Sequence, residues 1–152
     1  MEDLVKTESI PAPVDSVWAA WTTVGGARGF FAPDAHIEAA PGGAYELYFA
    51  LDLPEGQRGS EGCKVLALDH GRRLEFSWNF PPSLPGIRGC HTRVIVLLRE
   101  DDGETAVTLR HTGFEEGEEW EQGRAYFDRA WSVVLGRLRD RFDRGPVDWD
   151  AI

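Results

Sequence analysis

The apolar positions of the chain change period twice. Leu4 to Ile10 reads as a first strand, stopped by Pro11 and Pro13. Val14, Val17, Trp18 and Trp21 follow at i, i+3, i+4 and i+7, which predicts a helix with Pro13 as its first residue, where a missing N–H costs nothing. Gly25 and Gly26 are expected to end that helix, and Ala27 to Phe31 has room for one short helical turn before Pro33. Between Ile37 and Gly113 the period becomes two. Tyr45, Leu47 and Phe49 alternate with Glu46, Tyr48 and Ala50 after a Pro41-Gly42-Gly43 turn, and Leu74, Phe76, Trp78 and Phe80 alternate with Glu75, Ser77 and Asn79. Thr92 to Arg99 is apolar on both faces, and Glu104 to His111 places Val107, Leu109 and His111 on one side. Asp101-Asp102-Gly103 between them is a hairpin signal. Six or seven closely spaced strands joined by turns predict one antiparallel meander.

The last third returns to helical period. Trp120, Phe127, Trp131, Val134, Leu135, Leu138 and Phe142 share one face of a helix of more than about 20 residues. Glu118, Glu119 and Glu121 stand at its start and arginines at its end, the polarity that complements the helix dipole, and Gly145-Pro146 stops it. An aromatic stripe this wide needs a broad cover, and the sheet is the only candidate.

Composition narrows the partners. The 152 residues predict a single domain, 1–152, with a core large enough to need no staples. With 26 acidic against 16 basic side chains the net charge is −10, which excludes a nucleic-acid or anionic-membrane surface unless a basic face is concentrated somewhere. Arg137, Arg139, Arg141 and Arg144 are interrupted by Asp140 and Asp143 and read as a solvated helix end. The longest purely apolar runs, such as Val94 to Leu98, fall far short of the ~20 residues that span a bilayer, and no signal peptide is read. Cys63 and Cys90 lack C-x-x-C spacing, so two free thiols and a cytoplasmic location are expected. His36, His70, His91 and His111 show no metal-binding spacing, and there is no P-loop, dinucleotide glycine pattern or Ser-His-Asp order; no metal or cofactor is expected.

In order and composition the chain resembles the α+β helix-grip fold: a strand, two short helices, a curved antiparallel sheet, then a long helix gripped by it. Ile10-Pro-Ala-Pro-Val-Asp-Ser-Val-Trp18 resembles the opening signature of the START-like (SRPBCC) superfamily. Phe30-Phe-Ala-Pro33, Pro41-Gly-Gly-Ala-Tyr45, Glu61-Gly-Cys-Lys-Val65 before Leu74-Glu-Phe-Ser-Trp78, and Thr105 to Phe114 are similar to the branch of homologues of the activator of the heat-shock chaperone ATPase. Two departures stand out: Phe30 replaces the usual tryptophan, and Ala130 stands where a glycine precedes Trp131. The likeness covers nearly the whole chain and implies a cavity between the long helix and the concave sheet.

The physics points the same way, since a curved sheet cannot touch a straight helix along its whole length. Leu47, Phe49, Phe76, Trp78, Leu109, His111, Phe127 and Trp131 are the residues expected around such a cavity. Any one of them could equally be core, but so many aromatics on opposed elements resist void-free packing. Burying ~300 Å² of ligand would gain ~7 kcal/mol gross, enough for micromolar affinity after the losses of association. Three readings follow: a cytoplasmic protein binding a small hydrophobic or aromatic ligand; an enzyme on the same scaffold, similar to aromatase/cyclase or hydrolase members, with His111 as the only inward acid–base group; and a co-chaperone stimulating the ATPase, ranked last for want of any extra clamping module. Homodimerisation stays open. His111 reads either as a polar anchor in the cavity or as a structural histidine bonded to a backbone carbonyl. Glu46, Glu75 and Asp52 are expected on the surface, Glu115 to Glu121 as a helix-capping cluster, and Pro81 to Gly86 as a stiff loop guarding the cavity mouth.

Overall fold

A computed structural model describes residues 1–152. The chain runs β1 (Leu4–Ile10), α1 (Val14–Thr22), α2 (Val24–Arg28), β2 (Asp34–Ile37), β3 (Tyr45–Tyr48), β4 (Val65–Asp69), β5 (Arg73–Trp78), β6 (Thr92–Asp101), β7 (Glu104–Thr112) and α3 (Glu118–Asp143), ending in a short 3₁₀ turn at Trp149–Ala151. This is the expected α+β helix-grip arrangement, with one difference in the sheet. The seven strands do not form a single meander. Five make an antiparallel sheet in the order β1-β7-β6-β5-β4, and β2 with β3 forms a separate ribbon. Only isolated bridges, Ala44 to Lys64 and Tyr48 to Gly59, tie the ribbon to the main sheet. The long connection between β3 and β4 supplies the physical reason, since Pro54 and several glycines within it cannot sustain a ladder. At the hairpin between β6 and β7, Asp102 and Gly103 both take positive φ (55° and 80°), the conformation a tight Asp-Gly turn requires.

Pairing places one residue from each strand in register across the concave face. Phe76 faces Val94, which faces His111, which faces Leu4; one step along, Leu74, Val96 and Leu109 line up with Lys6. The apolar members of these rows join a core of 33 buried hydrophobic residues that also takes in Phe127, Trp131, Val134, Leu135 and Leu138 of α3. No helix is long and apolar enough to cross a membrane. In the middle of the edge strand β1 the inward residues are charged and clip the helix to the sheet: Lys6 lies 2.6 Å from Asp128 and Glu8 3.2 Å from Arg139. Inward charge on an edge strand also discourages further strand pairing.

Three local expectations change. Pro13 is not the first helical residue but the cap before it (φ −68°, ψ 158°). The Val14 N–H it leaves free donates to the Glu100 carboxylate at 2.6 Å. Gly25 and Gly26 do not terminate α1; they lie inside α2, which Thr23 caps by accepting from the Gly26 N–H at 3.0 Å. Gly26 serves packing, because a Cβ there would sit 2.2 Å from the Ala19 carbonyl oxygen of α1. Glu75 is not at the surface but only 7% exposed. Its strand phase is outward, yet Arg73 (2.9 Å) and Arg93 (3.3 Å) fold over it and pair with both oxygens. Glu46 is half-buried, accepting from the Tyr48 hydroxyl and the Gly62 N–H.

Two glycines of α3 separate propensity from packing. A Cβ at Gly136 meets nothing within 4 Å, whereas one at Gly123 would lie 2.6 Å from the Phe80 ring. Gly136→Ala is expected to raise unfolding free energy by about 0.5–1 kcal/mol through helix propensity. Gly123→Ala is expected to lower it by about 1–3 kcal/mol through overpacking. Urea unfolding of the two variants against the parent measures both signs.

Candidate functional site

A cavity of about 500 Å³ opens between α3 and one end of the sheet. Its floor is a cluster of rings brought together by three separate elements. Trp78 ends β5, Trp131 lies on α3, and Phe31 follows α2; their ring centroids are 5.5 Å (Trp78–Trp131), 5.6 Å (Phe31–Trp78) and 5.8 Å (Phe31–Trp131) apart. Phe80 and Phe127, 5.4 Å apart, close one side. The mouth is greasy as well. Phe49 (45% exposed), Tyr126 (43%) and Val133 (50%) face solvent there. Pro81 and Pro82 line the cavity, but the loop they begin is pinned by buried Leu84 and Ile87 and by the Arg88 guanidinium, which donates to the Phe80 and Gly56 carbonyls. This loop is therefore an anchored wall.

Of the residues expected around the cavity, Phe49, Trp78, Phe127 and Trp131 line it. Leu47, Phe76, Leu109 and His111 do not; each is fully buried. The centre of the bowl is filled rather than hollow. Tyr45 stacks on Phe76 at 4.2 Å and donates its hydroxyl to the Trp21 carbonyl at 2.8 Å, so α1 and β3 close over the middle of the sheet. The space left lies at the end where the second, outer row of α3 overhangs. That row, Tyr126, Ala130, Val133 and Arg137, has helical spacing and sits beside the main stripe. Of this row the sequence singles out only Arg137, as part of a solvated helix end. Phe31 and Phe80 also belong to the site; Phe80 continues the alternating row of β5 two residues past the strand's end, and Phe31 lies between regular elements.

His111 is a structural histidine. The Trp131 indole N–H, which can only donate, points at His111 Nδ1 at 3.0 Å. The ring proton therefore sits on Nε2 and is given to Thr92 Oγ1 at 2.6 Å, while the threonine hydroxyl donates to the Trp78 carbonyl at 3.0 Å. The expected bond to a backbone carbonyl is not made by the ring itself: both nitrogens are taken by side chains, and it is Thr92 that reaches the Trp78 carbonyl. Burial pushes the imidazole pKa down to about 3, only weakly opposed by the charge of Asp3. Protonation would also turn Nδ1 into a donor facing another donor. Burial likewise pushes the Cys63 thiol up to about 12, which leaves it unreactive; neither cysteine is in a disulfide.

A long helix gripped across a curved antiparallel sheet, with a ring-lined cavity beneath it, defines a START-like protein. Residues 11–143 match the family described as activator of Hsp90 ATPase homolog 1-like protein, and the chain belongs to that family. No curated protein matches it. Among solved structures, the protein MLL2253 from Mesorhizobium loti is 18% identical with a TM-score of 0.76, the match covering 96% of this chain and 100% of that one. The Aha1 dimer from Colwellia psychrerythraea is 20% identical with a TM-score of 0.71, over 95% and 98% of the two chains. CalU16 from Micromonospora echinospora is 23% identical with a TM-score of 0.70, over 96% and 76%. At these identities the likeness establishes the fold.

The depressed pKa of His111 makes stability depend on pH. Its contribution is complete above the unfolded value near 6.5 and is lost progressively as pH falls toward about 3, because the unfolded chain takes up the proton first. The expected loss is about 1.4 kcal/mol per pH unit within that window. His111→Gln should be less stable than the parent at pH 7 by about 1–3 kcal/mol, and the gap should narrow by about 2 kcal/mol at pH 5. Urea unfolding at the two pH values measures the gap; a constant difference would mean that His111 does not titrate on unfolding.

Proposed function

We propose that the protein is a single START-like domain that binds a small hydrophobic or aromatic molecule in the cavity between α3 and the sheet. The observation that carries this reading is the combination of size and lining. About 500 Å³ lies within the ~300–1,000 Å³ of ordinary ligand sites, and its floor is three packed rings from three elements. The rim adds exposed Phe49, Tyr126 and Val133, an apolar surface that gains from being covered. Each floor ring is held in place without a ligand, so little ordering opposes binding.

Binding rather than catalysis is the reading that the side chains support. Both ring nitrogens of His111 are committed, one to Trp131 and one to Thr92, and the imidazole lies behind Trp131, which is itself part of the cavity floor. An acid–base role for His111 has no proton to move at an accessible atom.

The neutral fluorophore N-phenyl-1-naphthylamine tests the reading. It is expected to bind saturably with a Kd in the micromolar range, as ~300 Å² of buried apolar surface allows. Ala130→Trp, which places an indole into the space from α3, is expected to weaken binding at least about ten-fold while the thermal midpoint stays within about 4–8 °C of the parent. Equal affinity in parent and variant would move the ligand elsewhere.

A further inference from the structure

The charge lining the cavity narrows the class of ligand, on the footing that the cavity is a binding site. The chain as a whole carries ten more acidic than basic side chains. Around the cavity the balance reverses: Arg58, Arg88, Arg129 and Arg137 line it, and no aspartate or glutamate does. In a molecule so acidic, four cations gathered on one apolar opening need a reason.

Only one of the four is consumed by the fold. Arg88 spends its guanidinium on the Phe80 and Gly56 carbonyls, with the Glu61 carboxylate 3.5 Å away. Arg58 is aimed rather than consumed. Its Nε donates to the Leu53 carbonyl at 2.7 Å, and Glu61 accepts the backbone N–H groups of Arg58 (3.1 Å) and Gly59 (2.7 Å), which fixes the loop that carries it. Burial opposes the charge on Glu61, but these N–H donors outweigh it and hold the carboxyl below its usual range. Arg137 lies against the Trp149 ring, 5.2 Å from its centroid, and Arg129 is exposed on the same helix. Arg58, Arg129 and Arg137 enter no ion pair with any carboxylate of the protein.

Unpaired guanidinium groups beside an apolar hollow repel one another, and a bound anion removes that repulsion while the hollow covers its apolar part. We propose that the cavity binds an amphiphilic anion: an aromatic or aliphatic body on the Phe31–Trp78–Trp131 floor, and one carboxylate, sulfonate or phosphate head among Arg58, Arg129 and Arg137 at the mouth. A neutral lipophile satisfies the floor and leaves the arginines unanswered. A volume of about 500 Å³ suits a small molecule, and a second copy would bring a further net charge of −10 to a chain that already carries −10.

The experiment compares two probes with the same ring system, 8-anilinonaphthalene-1-sulfonate and N-phenyl-1-naphthylamine, which lacks the sulfonate. In fluorescence titrations at low ionic strength the sulfonate is expected to bind about ten-fold more tightly, and added sodium chloride should erode the difference. The double substitution R129Q/R137Q should weaken sulfonate binding several-fold more than it weakens the neutral probe, and so remove most of that advantage. Both positions lie outside the buried core, and thermal unfolding checks that the variant is folded. Equal affinity for the two probes, or a sulfonate affinity indifferent to the double substitution, would overturn the anion while leaving the cavity a binding site. Failure of both probes to bind would overturn the cavity reading and this one with it. A concentration-dependent dimer that the probes dissociate would assign the mouth to a second copy instead.

Discussion

One chain of hydrogen bonds determines how the rest of the site can be built. It runs from the Trp131 indole on α3 through His111 on β7 and Thr92 on β6 to the carbonyl of Trp78 on β5. Every donor in it has an acceptor, and the direction of the whole chain is set by the indole, which has no lone pair to offer. Because it crosses three adjacent strands and the helix, it fixes the rotation of α3 over the sheet as well as the position of two floor rings. A purely apolar contact at this place would tolerate sliding of the helix by fractions of a turn. The polar chain does not, and the cost of that specificity is a buried imidazole that must stay neutral.

The cavity is a consequence of how the bowl is closed. At one end α1 and β3 press onto the sheet, with Trp21, Tyr45 and Phe76 locked by stacking and by a hydrogen bond to a main-chain oxygen. The space between sheet and helix is filled there. At the other end the chain leaves β5, turns through Pro81 and Pro82, and is anchored by Leu84, Ile87 and Arg88 before it returns as β6. Neither amino-terminal helix reaches that far; of residues 1–48 only Phe31, just after α2, lines the cavity, so the outer row of α3 is left over open space. A hollow at one end and dry packing at the other follow from the same short α1–α2 pair.

Much of this was legible in the sequence because strands and helices announce themselves by period. The rows Leu74-Phe76-Trp78 and Val107-Leu109-His111, the long stripe of α3 and the Asp-Gly hairpin all rest on local spacing, and local spacing survives folding. The misreadings share a different cause, since each depends on what lies across space. Gly26 looks like a helix terminator until Ala19 is seen against it. Glu75 has the phase of a surface residue, and its burial comes from arginines on its own and the next strand. Leu47, Phe76 and Leu109 face the concave side as alternation requires, but facing inward does not distinguish a residue that lines a void from one that fills it. Phe31 belongs to the site although it sits between regular elements, where periodicity has nothing to say.

The arginines show the same limit in electrostatic form. Net charge is a sum over the chain, and a sum of −10 conceals where the sixteen basic residues lie. Arg58 and Arg88 come from the irregular stretches on either side of β4 and β5, and Arg129 and Arg137 from two turns of α3; only the fold brings them to one opening. The acidic surface elsewhere then acts in the same direction. Taken as a whole the rest of the chain disfavours anions, so that a positive opening stands out against it. On the proposed reading, an acidic protein with a basic mouth is better at choosing where an anion binds than a neutral one would be, and the aromatic floor beneath the mouth selects among the anions.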